Sequence, residues 1–432
     1  MLDNIFIWDK IDLKIRKKIL SRPIIKNQEL IQSTVTTILN DVLKYGDNAL
    51  YKYTNIFDLI KINEFKINEQ QIMNAVSNIS IDLKNAIIHA KKNIECFHNL
   101  QKNKLLDVEI EPGIRCSQIV VPINSVGLYV PGGSASLFST VLMLSIPAKI
   151  AGCKKIILCS PPPISYEILF TAYICNINNI YQIGGAQSIA AMAFGTNTIP
   201  KVNKIFGPGN AYVTEAKLQV SKLLEGAGID MPAGPSEVLV IADNFANDKF
   251  IAADLLSQAE HGVDSQVILI TDSEILVEKV IKSIKLQLKT LSKIDVLLQS
   301  LKHSRFIVAP NLLECINISN MYGPEHLIIQ TRNFKDLLPY VINAGSVFLG
   351  PWSPESAGDY ASGTNHVLPT YGYTSRYSGL GVMDFQKRIT IQELTSNGLL
   401  NLSSTIQLLA ETEKMEAHKN AVLVRLQELK GK

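Results

Sequence analysis

Residues 127–159 read GLYVPGGSASLFSTVLMLSIPAKIAGCKKIILC. A short β-prone run at Gly127–Val130 is followed by a glycine turn and a helix-length apolar segment over 138–151. A second β-prone run comes next, Lys155–Cys159. Outward from this stretch the pattern repeats. Further strands are predicted at Gln118–Val121, Ile180–Ile183, Lys204–Phe206, Glu237–Ala242, Gln266–Thr271, Arg305–Ala309, Leu327–Gln330 and Ser346–Leu349. Helices are predicted near 186–194, 209–223, 247–260, 273–290 and 310–319. Alternation of this kind predicts an α/β fold with two Rossmann-like parallel-sheet domains. The glycine- and proline-rich IDMPAGPSE (229–237) divides the two series.

Helical extensions are expected at both ends. Asn27–Leu43 and Asn68–Lys102 carry apolar residues at three-and-four spacing, as does the tail over 401–430. The expected boundaries are an N-terminal helical arm (1–25), a first α/β domain (26–128 with 237–380), a second (129–236) and a C-terminal helical segment (381–432). Residues 350–381 read as a long loop with six glycines and three prolines, and structureless stretches of that length are usually functional.

A chain of 432 residues exceeds one ordinary core, and 47% apolar with 19% charged residues is the balance of a soluble globular protein. The net charge of +3, with few arginines among the basic residues, argues against a nucleic-acid or membrane surface. Six cysteines without a Cys-x-x-Cys pair read as free thiols of a reducing compartment. The N-terminus lacks the basic start and apolar run of a signal peptide, and no apolar stretch reaches the ~20 residues of a membrane span. A cytoplasmic enzyme is expected.

Of the seven histidines, three lie in polar motifs: Gln258-Ala259-Glu260-His261, Gly323-Pro324-Glu325-His326 and Ser362-Gly363-Thr364-Asn365-His366, the last shortly after Asp359. Imidazole titrates near neutrality and is the commonest nitrogen ligand for metals. Gln258 and His261 are three apart at a helix end and share a face; the plain alternative is a polar last turn. Glu325 beside His326 offers two proton acceptors whose affinities surroundings can separate, unless the turn is merely exposed. Asp359 and His366 bring a hard oxygen and a donor into the long loop. Together they point to a metal site of nitrogen and oxygen ligands next to a Glu-His acid/base pair. His89 and His98 read as half-buried helix surface, and local sequence makes His418 a solvent-facing residue.

Three glycine-bearing turns, VPGGS (130–134), IGGAQ (183–187) and FGPGNAYV (206–213), open toward helix N-termini, which suit phosphate. None completes Gly-x-Gly-x-x-Gly, since Tyr212 stands where the last glycine would be. They support an unorthodox dinucleotide site at most.

Taken together, IDMPAGPSE (229–237), SQAEHG (257–262), GPEH (323–326) and the run from Trp352 to Gly381 resemble the histidinol dehydrogenase family over essentially the whole chain. The resemblance implies a zinc-dependent homodimer that oxidises L-histidinol to L-histidine in two NAD-linked steps, the last of histidine biosynthesis. By position it implies Gln258, His261 and Asp359 as zinc ligands, with His418 of the partner subunit as the fourth. It further implies Glu325 and His326 as the acid/base pair, and Ser236, His366 and Glu413 as substrate contacts beside the ligands. Tyr129, Gln187 and Asn210 are implied as NAD contacts, which makes 129–236 the NAD-contacting domain and 381–432 dimer-forming. On an unbroken helix Glu413 and His418 would point roughly 140° apart, a strain on the assignment of Glu413.

Three rivals remain at this stage. A cysteine-dependent aldehyde dehydrogenase needs a thiol in a polar glycine loop, where this chain has none. A zinc hydrolase has no use for a dinucleotide pocket, and a scaffold protein has no use for the metal.

Overall fold

The computed structural model describes residues 4–23, 27–102, 106–132 and 136–430. In chain order, β1 (Ile5–Ile7) and α1 (Leu13–Ile19) precede α2 (Gln28–Tyr45), α3 (Asp47–Phe57), α4 (Glu69–Asn78) and α5 (Ile81–Asn99). Next come β2 (Leu106–Glu111), β3 (Ile114–Pro122), β4 (Ser125–Tyr129), α6 (Phe138–Ala151), β5 (Lys155–Ser160) and α7 (Tyr166–Ile174). They lead into β6 (Asn179–Gln182), α8 (Gly185–Phe194), β7 (Lys204–Phe206), α9 (Ala211–Ser221) and β8 (Gly228–Ile229). The second series is β9 (Glu237–Ala242), α10 (Asp248–Ala259), β10 (Gln266–Thr271), α11 (Glu274–Gln287), α12 (Ile294–Ser300) and β11 (Arg305–Val308). It continues with α13 (Leu312–Tyr322), β12 (His326–Gln330), α14 (Phe334–Leu337), β13 (Ser346–Leu349) and α15 (Glu355–Tyr360). The chain closes with β14 (Gln386–Leu394), α16 (Ser396–Thr412) and α17 (Glu416–Lys430).

Two parallel sheets result. One runs β6-β5-β4-β7-β8, the other β1-β11-β10-β9-β12-β13. Setting β1 aside, both have the same order when their strands are numbered along the chain, with the crossover direction reversing beside the first strand of each. The expected two Rossmann-like sheets are therefore present. Side-chain alternation explains how each sheet is covered. Val126, Leu128, Ile156 and Leu158 face α4–α7, while Tyr129, Ile157 and Cys159 face α2, α3, α8 and α9. In the other sheet, Val238, Val240, Val267 and Leu269 meet α10–α12; Leu239, Ile241, Ile268 and Ile270 meet α13 and Trp8.

Several boundaries differ from expectation. Helices α2–α5 share cores with β4–β7, so residues 28–99 belong with the first sheet and not with 237–380. The helix predicted over 68–102 is broken where Ser80 caps α5. The arm contains β1, which lies parallel to β11. The C-terminal segment opens with β14, antiparallel to β3 along its whole length, with β2 on the other side. This small sheet is solvent-exposed, so no buried stripe marks its strands. The loop 350–381 carries α15, and residues 24, 25, 133 and 134 lie outside the described set.

At the carboxyl end of β7, Gly207 has φ 123°, and a Cβ there would lie 2.0 Å from the Tyr129 carbonyl oxygen. Its N–H donates to Asp230 (2.7 Å) and its carbonyl accepts from Lys217 (2.8 Å), whose ammonium pairs with Asp230. The turn leading to Asn210 is fixed by this cage. Gly207→Ala is expected to cost about 2 kcal/mol or more, measured by denaturant unfolding; an unchanged midpoint would remove the constraint.

Candidate active site

The site gathers at the amino ends of β9 and β12. Gly323 ends α13 in the left-handed region (φ 63°), Pro324 follows, and Glu325 and His326 enter β12. Gly345 makes room for them, because a Cβ there would sit 2.5 Å from the Glu325 carbonyl oxygen. Both side chains are held by one peptide neighbour. The Glu237 N–H donates to Glu325 Oε2 (2.8 Å), and the Glu237 carbonyl lies 3.1 Å from His326 Nδ1. A carbonyl can only accept, so His326 carries its proton on Nδ1 and leaves Nε2 as the working nitrogen. Glu325 Oε2 is 3.6 Å from His326 Nδ1, and His326 Nε2 is 3.7 Å from Asp359 Oδ1.

Beyond Asp359 lies the metal-capable group. Because α10 follows β9 and runs back along the sheet, its last turn arrives at the same edge and delivers Gln258 and His261. His261 Nε2 is 4.0 Å from Asp359 Oδ2. One ligand atom each from His261, Glu355 and Asp359 falls within 4.8 Å of the others. Glu355 is the residue that sequence reasoning missed. Its signal was available: Glu355 and Asp359 are four apart on α15, which puts both carboxylates on one face. Turned so that its nitrogen faces Glu355, the Gln258 amide donates to Oε2 at 2.8 Å and also to Oε1. With its oxygen there instead, the oxygens need either a proton on Glu355 or a cation between them.

The electrostatics reflect crowded acids. Burial pushes the Glu325 carboxyl up to about 8 against the pull of His326. Burial also disfavours charge on His326, but Glu325, Asp359 and Glu355 outweigh it and push the imidazole up to about 10. Glu355, buried and facing Asp359 and Glu325, is held well above the ordinary carboxylate range. Despite its own burial, Asp359 is held below its usual value by His326. A donor set of imidazole, carboxylates and an amide oxygen, with excess negative charge and no thiolate, fits a divalent ion of the zinc type.

The other expected residues divide. His366 lies beside the group, its Nδ1 2.8 Å from the Asp359 carbonyl and its Nε2 3.2 Å from Thr140 Oγ1 at the start of α6. Ser236 directly precedes Glu237, half-buried, and its carbonyl accepts from the Gln266 N–H. Glu413 and His418 are exposed on the C-terminal helices and do not join the cluster within this chain. Lys414 (φ 59°) breaks the helix between them, so the angular objection to Glu413 lapses. His98, expected to be half-buried, is fully buried: Nδ1 lies 2.9 Å from the Ile94 carbonyl and Nε2 3.3 Å from Asn365 Nδ2.

Around the other sheet, the Tyr129 hydroxyl accepts from the Gly185 N–H (3.2 Å), and Asn210 caps α9. Gln187 is buried with a side-chain oxygen that has no partner. Tyr129 and the Gly207–Asn210 turn lie at the carboxyl ends of β4 and β7, where doubly wound sheets take nucleotides. The orphaned amide oxygen and glycine turns fit a dinucleotide. Cysteine chemistry does not fit. Burial pushes the Cys153 and Cys175 thiols up to about 11, and those of Cys159 and Cys315 higher still.

Known proteins agree with this geometry. The family model described as histidinol dehydrogenase matches residues 21–426. The histidinol dehydrogenase of Buchnera aphidicola subsp. Acyrthosiphon pisum is 60% identical over 429 residues, covering 99% of each chain. That of Escherichia coli K12 is 55% identical over 428 residues, again 99% of each. The crystal structure of histidinol dehydrogenase from Elizabethkingia anophelis superposes with a TM-score of 0.95 at 47% identity, covering 99% of this chain and 98% of that one. The chain belongs to the histidinol dehydrogenase family.

Proposed function

We propose that this chain is a zinc-dependent, NAD-linked enzyme that oxidises L-histidinol to L-histidine through the aldehyde, the last step of histidine biosynthesis. Family membership supports the substrate. The observation that carries the mechanism is a histidine fixed through Nδ1, with Nε2 turned to a metal-capable cluster.

Gln258, His261 and Asp359, with Glu355 beside them and His418 of the partner subunit completing the set, would hold the ion. When bound, the ion would orient the amino alcohol and polarise its oxygen. With the bound ion offsetting the acids that otherwise keep the imidazole charged, His326 would take the hydroxyl proton at Nε2, the Glu237 carbonyl steadying the ring through Nδ1, and bound NAD would accept the hydride. In the second oxidation Glu325, kept largely protonated by its burial until a cation compensates the nearby acids, takes a proton from the water that adds to the aldehyde. Ser236, His366 and Glu413 would position the substrate, and Tyr129, Gln187 and Asn210 the dinucleotide.

A homodimer follows from the same reading. The β2–β3–β14 sheet exposes Leu106, Val108, Ile110, Ile389 and Ile391, and α16 exposes Leu408 and Leu409, an apolar expanse of the kind that marks an interface. A second copy placed there would bring residues 381–432 toward the partner's site. The free thiols suit a cytoplasmic enzyme, and no helix among the described residues is long and apolar enough to cross a membrane.

The deciding experiment counts NADH formed per histidinol consumed. About two are expected, falling to none with a chelator; full turnover in metal-free protein would refute the metal. His261→Ala and Asp359→Ala should lose metal and activity together, read by elemental analysis beside rate. His326→Ala should keep its metal yet lose about 10²-fold or more in the first oxidation. Glu325→Gln should chiefly slow oxidation of supplied aldehyde, and an unimpaired rate there would unseat its role.

A further inference from the structure

We infer that Arg22, through Glu237, is a positioning residue for the Glu325–His326 pair. The inference rests on the acid/base reading above.

Arg22 stands on the N-terminal side of the chain, far in sequence from every motif of the site. Its Nε donates to Glu237 Oε1 (2.6 Å) and its Nη2 to Oε2 (3.0 Å), a fork that grips both carboxylate oxygens. The same Nη2 reaches the carbonyls of Tyr322 (2.8 Å) and Gly323 (3.0 Å), the last turn before Gly323-Pro324-Glu325-His326. The guanidinium lies 3.9 Å over the Tyr322 ring. One planar cation therefore ties the start of β9 to the segment that launches β12. Those are the two pieces whose relative placement decides whether Glu237 can hold Glu325 by its N–H and His326 by its carbonyl. Glu237 Oε1 also accepts from the Tyr371 N–H (3.1 Å), and the Tyr371 hydroxyl donates to the Pro23 carbonyl. Every oxygen of that carboxylate is thus engaged in alignment, and none is left for substrate.

A plain structural pair would anchor the N-terminal segment and nothing more. The two roles separate kinetically, because misplacement by a fraction of an ångström slows chemistry while leaving binding intact. Arg22→Met alone would leave a buried, unpaired carboxylate, so the test uses the double variant Arg22→Met/Glu237→Gln, in which both charges are removed, alongside Arg22→Lys. Lysine retains the charge but cannot reproduce the fork.

In metal-loaded protein, the double variant is expected to keep its metal content and, within about twofold, its KM, while kcat for the first oxidation falls about 30- to 100-fold. Arg22→Lys should fall about tenfold or more, with the deuterium isotope effect on kcat enlarged as proton and hydride transfer become limiting. A folded, metal-loaded double variant with an unchanged kcat would overturn the assignment. If the double variant does not fold, Arg22→Lys decides by the same criterion. His326→Ala run in parallel distinguishes the failures: intact first oxidation there would sink the acid/base reading itself, whereas its loss beside an intact Arg22→Lys would sink only the positioning role.

Discussion

Buried negative charge at the amino ends of β9 and β12 is the constraint around which this molecule is arranged. Glu237, Glu325 and Glu355 are almost entirely removed from water, and Asp359 sits among them. An unpaired carboxylate in such surroundings costs several kcal/mol, so each needs a counter-group. Arg22 answers Glu237, and His326 lies between Glu325 and Asp359. Glu355 has the Gln258 amide beside it and the pull of His326, which burial and the neighbouring acids outweigh. For Glu355 to ionise beside Asp359, a cation from outside the chain would have to offset that burial.

The two sheets have the same strand order, yet the candidate sites lie at opposite ends of their strands. Tyr129 and Gly207–Asn210 occupy carboxyl ends, toward which α8 and α9 point the positive ends of their dipoles. Gln258 in the last turn of α10 and His261 just past its end lie where carbonyls and the negative dipole end meet a cation better than an anion. An α/β repeat offers both polarities. Here one half presents the anion-attracting edge and the other the cation-attracting edge, which matches a pyrophosphate on one side and a divalent ion on the other.

Much of this was legible in the sequence. The strands of both parallel sheets, apart from β1 and the two-residue β8, stood out because most are buried on both faces and read as apolar runs. Gln258, His261, Glu325, His326, Asp359 and His366 stood out because polar side chains crowd beside glycine and proline. What escaped notice lacked such contrast. Strands β2 and β14 have no buried stripe, and β1 is three residues long. Glu355 resembles any acid in the first turn of a helix, while Arg22 and Glu237 are 215 residues apart, so only folding reveals their pairing. His98 was misjudged because it continues the buried stripe of Ile87, Ala90 and Ile94 on α5, where Asn365 of the long loop also meets it.

That loop carries a mechanical consequence. The Asn93 amide donates to the Ala361 carbonyl, and Gly363 lies so close to the Asn93 carbonyl that a Cβ would stand 2.9 Å away. Asn365 donates to the Met143 carbonyl at 2.7 Å while meeting His98. The segment bearing Asp359 and His366 is thus riveted to α5 and α6, helices of the opposite sheet. Swinging the two halves apart would shear these bonds together. Opening the two halves like a hinge therefore costs several hydrogen bonds at once, each worth about 1 kcal/mol.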